Sequence, residues 1–153
     1  MLLQWGGMGT APPNRMQTGL RNQLLGSFRD RGVRCTAQRY AILDHLNRYP
    51  SHPTAEEIHK AINRADPRAS LATVYKALHA MAEAGLIREL RFGGNAARFE
   101  AAFSRHHHFV CDHCGTMEDI DWFELPGLPT KSSRARKVTS YEVVLHGQCR
   151  ACS

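Results

Sequence analysis

The chain has 153 residues, 42% of them apolar, enough for one ordinary domain or two small ones with packed cores. Its net charge of +6 is unevenly spread: residues 1–91 carry 13 Lys and Arg against 7 Asp and Glu, and residues 92–153 carry 7 against 7. A basic front half suits a polyanion such as nucleic acid, no apolar run approaches the roughly 18 residues of a membrane-spanning helix, and the start "MLLQWGGMGTAPPNR" has no secretory pattern, so a cytoplasmic protein without a membrane partner is expected.

Residues 1–16, rich in Gly and Pro and without periodicity, read as a disordered leader. From Thr18 the pattern turns helical, with Leu20, Leu24, Leu25 and Phe28 as its apolar stripe and Gly32 as its stop. Thr36 is placed to cap a second helix through Ile42, Leu43 and Leu46 that stops before Pro50. Thr54 and Glu57 have capping-box spacing and open a third helix containing Ile58 and Ile62, which must end before Pro67. Ser70 caps a fourth, with Leu71, Val74, Leu78 and Met81 buried and Gly85 closing it. "LIRELRFGGNAARFEA" is a β-hairpin signal turning at Gly93, Gly94 and Asn95. Short helices followed by a hairpin in a basic segment describe a winged helix-turn-helix.

Beyond it, residues 104–121 and 138–147 read as strands, with a short helix between Leu128 and Lys137 delayed by Pro126, Gly127 and Pro129. The fold class expected is α+β: an N-terminal winged helix-turn-helix domain over 17–101 and a small C-terminal α/β domain over 102–153.

In a helix-turn-helix the second helix of the motif enters the major groove. Here that helix is "SLATVYKALHAMAEAG", which offers Ser70, Thr73, Tyr75 and Lys76 to bases and phosphates, while Arg39 on the preceding helix is placed for a phosphate. Arg88, Arg91 and Arg98 on the hairpin are candidates for backbone contacts from a wing, or are simply solvated.

Cys111, Cys114, Cys149 and Cys152 form two Cys-x-x-Cys pairs, each a knuckle that presents two sulfurs to one tetrahedral zinc. A thiol oxidoreductase is the alternative of another class. The span from Cys114 to Cys149 exceeds the roughly 15–20 residues of common zinc ribbons, so a subdomain must fold between the pairs. A strand ending in each knuckle would bring them together. Cys35 stands alone and is expected to be a small buried residue.

In "HHHFVCDHCG", strand alternation sends His106 and His108 to one face and His107 and Cys111 to the other. Two imidazoles on one face begin a site for a divalent transition metal, which needs further ligands from elsewhere.

"TAQR", "SHPTAEEIHK", "SLATVYKAL", "AGLI", "RFE", "HHHFVCDHCG" and "HGQCRAC", in this order and spacing, resemble the ferric uptake regulator family of metal-dependent bacterial repressors over nearly all of residues 18–153. The resemblance implies that the four-cysteine site is structural and that the C-terminal domain dimerises. It further implies that a regulatory ion is held by His52, Glu100, His106, His108 and Asp119 from both domains, and that a homodimer binds palindromic operator DNA. A Cys often stands at the Glu100 position in zinc-sensing relatives and an Asp in peroxide-sensing ones, where iron oxidises a ligand histidine. Glu100 therefore makes a repressor responding to ferrous iron or manganese the leading expectation, with a peroxide-responsive repressor and a zinc-uptake regulator as alternatives. Arg105 and Tyr141 stand where some relatives place ligands of a further site, and neither suits a metal. His45, His59, His79, His113 and His146 are expected to be solvated or structural.

Overall fold

The structure is a computed structural model and describes residues 15–64, 69–92, 96–127 and 138–153. Residues 1–14 of the expected leader, Pro67, the hairpin turn at Gly93–Asn95 and the helix expected after Leu128 lie outside the described residues.

Four helices come first: α1 (Arg15–Asp30), α2 (Ala37–Arg48), α3 (Ala55–Ile62) and α4 (Leu71–Glu83). Their ends follow local chemistry. Thr36 accepts the amide of Arg39 and Ser70 that of Thr73, and the Thr54–Glu57 capping box is complete in both directions. Gly32 and Gly85 take φ of +66° and +69°. At each, one amide bonds three residues back (Gly32 to Arg29, Gly85 to Ala82) and the next bonds five back (Val33 to Phe28, Leu86 to Met81), the Schellman closure that only glycine enters without strain.

Leu24, Phe28, Ile42, Leu43, Leu46, Ile58, Val74, Leu78 and Met81 form one apolar core with Leu86, Ile87 and Phe99 of the following hairpin. That hairpin pairs β1 (Ile87–Leu90) with β2 (Arg98–Ala101) antiparallel, Arg88 opposite Glu100, and a bridge from Thr54 to Arg98 ties it to the start of α3. Helices with this hairpin at their side are the winged helix-turn-helix expected.

The second sheet has the order β4-β3-β5: β3 (His106–Cys111) is central, antiparallel to β4 (Met117–Asp121) and parallel to β5 (Val144–Gly147). Leu90 at the end of the wing joins Val110 and Met117 in a second small core, flanked by Phe92 and Val144. The hairpin thus packs on both halves.

Several expectations are corrected. Helix α1 starts at Arg15, ahead of Thr18 and inside the expected leader, because Arg, Met and Gln are good helix formers and nothing after Pro13 interrupts them. Leu25 and Leu71 are exposed at 39% and 36%: the apolar stripe is wider than the neighbour that covers it, and residues 71–73 of α4 all face solvent before burial begins at Val74. Cys35 is exposed on the α1–α2 loop rather than buried. Strand structure is shorter than 104–121 and 138–147, because residues 112–116 form the turn of the first knuckle and only Val144–Gly147 pairs. Among the described residues no helix is long and apolar enough to cross a membrane.

Candidate metal centres

The parallel pairing of β3 and β5 sets Cys111 opposite Gly147, so the two knuckles that follow lie side by side. The first turns through Gly115 at φ +72°, with the Gly115 amide on the Cys111 carbonyl; in the second, the Cys152 amide bonds the Cys149 carbonyl. All four sulfurs lie within 4.8 Å of one another, and Cys114 Sγ is 3.7 Å from Cys149 Sγ. A disulfide needs about 2.05 Å. Tetrahedral zinc with bonds of about 2.3 Å sets its sulfurs about 3.8 Å apart, so the cluster fits zinc. Backbone donors, first that of Cys114 and then the Cys149 amide 3.3 Å from Cys111 Sγ, pull the Cys111 thiol down to about 6. Cys152 is pushed up to about 12, first by Cys114 and then by Cys149: four crowded sulfurs cannot all be thiolates without a cation.

The second cluster draws on four elements. His52 lies in the α2–α3 loop, Glu100 on β2 of the wing, His106 and His108 on β3, and Asp119 on β4 opposite His108. Glu100 Oε2 lies 2.9 Å from Nε2 of His52, 2.9 Å from that of His106 and 3.0 Å from that of His108. Asp119 Oδ1 is 2.9, 3.4 and 4.0 Å from the same three nitrogens. A six-coordinate ion with bonds of about 2.1 Å sets adjacent ligand atoms about 3.0 Å apart, so this nitrogen and oxygen set fits a divalent transition ion.

His52 adopts φ +49°, the only left-handed non-glycine residue among those described, although it is fully buried and its Nδ1 has no hydrogen-bond partner. Backbone strain at a buried polar side chain is what a functional constraint leaves behind. Arg98 holds the conformation by donating from Nη1 to the His52 carbonyl at 2.9 Å. Burial works against the charged forms of both Glu100 and His108. For Glu100, hydrogen bonds from His108, His52 and His106 and the charge of Arg88 outweigh it and hold the carboxyl well below its ordinary range. For His108, Glu100 and Glu142 outweigh it and raise the imidazole.

Two residues at this cluster were not singled out as part of it. Glu142 takes the Nδ1 side of His108, orienting the ring from behind as a carboxylate does for a metal-binding histidine. Arg88 turns inward from the wing to pair with Glu100 Oε1, its Nη2 3.2 Å from His106 Nε2. The only advance signal for Arg88 was hairpin register; Glu142 had none. Of the three wing arginines only Arg91 stays outside, paired with Glu89 at 2.6 Å.

His107 points the other way, as strand alternation requires. Its Nε2 faces the Phe123 carbonyl, its Nδ1 accepts the Val143 amide, and its ring stacks on Trp122. Arg105 lies over Trp122 and Tyr141 donates to the Phe123 carbonyl, so both belong to this aromatic packing. His59 meets the Ala69 carbonyl and His146 pairs with Asp112.

On the helix-turn-helix, Ser70, Thr73, Tyr75 and Lys76 are all exposed on α4, with the Tyr75 hydroxyl donating to Glu56 at 2.7 Å. Arg39 is half-buried and donates to the Arg34 carbonyl.

A winged helix-turn-helix joined to a small half built on a three-stranded sheet, with one donor cluster inside that half and another across the two, defines a class of metal-binding regulator. Residues 30–146 match the ferric uptake regulator family, and the chain belongs to it. It is 39% identical over 136 residues to the peroxide operon regulator of Bacillus subtilis strain 168, covering 86% of this chain and 92% of that one. It is 36% identical over 133 residues to the peroxide-responsive repressor PerR of Staphylococcus epidermidis, covering 84% and 87%. Among solved structures, the Helicobacter pylori ferric uptake regulator, which has three functional metal binding sites, superposes with a TM-score of 0.68 at 25% identity over 88% of this chain and 92% of that one. These relatives are regulators, not enzymes, which sets the thiol oxidoreductase aside at the level of the family. They also back the peroxide alternative better than the iron or manganese expectation drawn from Glu100. A carboxylate at that position distinguishes the branches weakly, because Asp and Glu both offer one oxygen to an ion.

Proposed function

We propose that this chain is a metal-dependent, peroxide-responsive transcriptional repressor of the bacterial cytoplasm. It acts as a homodimer, with residues 17–101 binding a palindromic operator and residues 102–153 dimerising. The observation that carries the reading is the convergence within 4.8 Å of His52, Glu100, His106, His108 and Asp119, contributed by both halves. The two peroxide-responsive relatives, at 39% and 36% identity, support the choice of signal.

Each chain takes one structural zinc on Cys111, Cys114, Cys149 and Cys152 and one ferrous or manganous ion on the mixed cluster. His52 belongs to the helical half and Asp119 to the sheet half, so all five donors meet only in one relative orientation of the halves. Selecting that orientation spaces the two α4 helices of a dimer, with Ser70, Thr73, Tyr75 and Lys76 toward bases and phosphates and Arg39 toward a phosphate. Metal affinity and operator affinity are then linked reciprocally.

Bound ferrous iron supplies the means to break the O–O bond of hydrogen peroxide. One peroxide oxygen is inserted into a ring C–H bond of a ligand imidazole and the other leaves as water, so the ring is oxidised by two electrons and the peroxide reduced by two. A cavity of about 130 Å³ opens on the cluster and is lined by His52 and His106 but not by His108. The oxidised ring is therefore His52 or His106. A weakened donor releases the ion and with it the orientation that holds the operator.

Selecting duplexes from a random pool with the manganese-loaded protein supplies an operator, which is then titrated with the iron, manganese and zinc forms. Binding supported by iron and manganese, and abolished by peroxide only in the iron form, is the expected result. Binding by the iron form that is indifferent to peroxide makes the chain an iron-responsive repressor instead, and binding indifferent to metal sinks the reading.

A further inference from the structure

Arg88 is a cation built into a cluster whose task is to hold another. It stands opposite Glu100 in the wing's register and forms an ion pair through Nη2 with Glu100 Oε1, whereas Oε2 is the oxygen in contact with the three imidazoles. The same Nη2 lies 3.2 Å from His106 Nε2 and 3.5 Å from its Nδ1. The Arg88 side chain keeps 32% of its exposure and that of Glu100 only 7%, while Arg88 Nε and Glu100 Oε1 are both buried without a hydrogen-bond partner, so the contact between the two groups is one of charge. The guanidinium is thus held by the carboxylate rather than by a complete set of its own bonds, and it keeps a route to solvent.

We propose that Arg88 is a positioning residue that sets the affinity of the mixed cluster, fixing Glu100 through Oε1 while its charge opposes the divalent ion. This rests on the reading of His52, Glu100, His106, His108 and Asp119 as the regulatory ligands. Among the ligands themselves, three neutral imidazoles and two carboxylates balance a divalent ion; outside them Glu142 adds one negative charge behind His108 and Arg88 one positive charge beside Glu100 and His106, so removing the Arg88 charge favours the ion. If the guanidinium stays, it repels the ion; if it swings to solvent, its pairing with the nearly buried Glu100 is lost. Both routes weaken binding. A unit charge about 5 Å from a divalent ion opposes it by a factor on the order of ten even at the dielectric of bulk water. A regulator gains from this, because affinity far above the working ion concentration would leave it permanently loaded. Arg88 is also part of the wing, so the residue that tempers the ion belongs to the element that packs on both halves.

The test separates charge from tether. Full-length, zinc-retaining protein is titrated with manganese, which avoids redox chemistry, against a competing chelating dye, as wild type, Arg88→Gln, Arg88→Lys and His106→Ala. Arg88→Gln keeps a polar side chain beside Oε1 and removes the charge, so it should bind manganese about tenfold more tightly or better; Arg88→Lys keeps the charge and should stay near wild type. Tightening in both variants to the same extent, or none in Arg88→Gln, overturns the proposal. Because Arg88 is partly exposed, both variants should keep one zinc per chain and the wild-type circular dichroism, and a Gln variant that does not is replaced by Arg88→Asn, which is also polar and neutral and for which the same tightening is required. His106→Ala reports on the underlying reading: if it binds manganese like wild type, the cluster is not the regulatory site, whereas lost binding there with no change in Arg88→Gln refutes Arg88 alone.

Discussion

The two donor clusters lie at opposite ends of the same strand and are built by opposite logics. The thiolate cluster closes within one half, from two tight turns that parallel pairing sets side by side, and its donors are all sulfur. The mixed cluster is assembled across the halves from a loop, the wing and two strands, around a strained His52, with a cavity opening onto it. A closed four-sulfur site fits an ion that stays and stabilises; a site shared between halves fits an ion that comes, goes and reports.

Substitutions sharpen that contrast. The largest effect is expected from Cys111→Ser: zinc content should fall to background and the C-terminal half should lose cooperative unfolding, followed by elemental analysis and calorimetry. Retained zinc with an unchanged transition would erase the distinction between the clusters. His106→Ala should do the reverse, weakening manganese binding by roughly a hundredfold or more while one zinc per chain and the fold persist; losing both metals together would mean that the clusters are not independent. Glu142→Gln, which changes only the partner behind His108, should weaken manganese binding by about 10- to 100-fold, read by the same competition titration. Arg98→Ala removes one hydrogen bond to the His52 carbonyl and should cost about 1 kcal/mol in stability and, through the loosened His52, no more than roughly fivefold in manganese affinity.

The same contrast explains what could be read from the chain in advance. Caps and stops are local, so Thr36, Thr54 with Glu57, Ser70, Gly32 and Gly85 were legible from a few neighbouring residues. The thiolate cluster was nearly so, since each pair carries its own spacing and only the pairing of β3 with β5 had to be supplied. The mixed cluster is different: strand alternation gave His106 and His108, but His52, Glu100 and Asp119 entered through resemblance to a family. Arg88 and Glu142 escaped because their partners lie across a hairpin or 34 residues away, and nothing in their immediate sequence marks them. Burial of Leu71 was overestimated because a periodic pattern reports which face is apolar, not how far a neighbour extends over it, and that of Cys35 because the usual burial of a cysteine does not hold on an exposed loop.

The central claim is that the mixed cluster senses peroxide through its own imidazoles. Iron-loaded protein exposed to hydrogen peroxide, digested and sequenced by mass spectrometry, addresses it without reference to any operator. One added oxygen atom on His52 or His106, absent from His108 and from the manganese form, is the predicted result. Unmodified histidines alongside oxidised Cys111, Cys114, Cys149 and Cys152 would contradict it and move the sensing chemistry to the thiolate cluster.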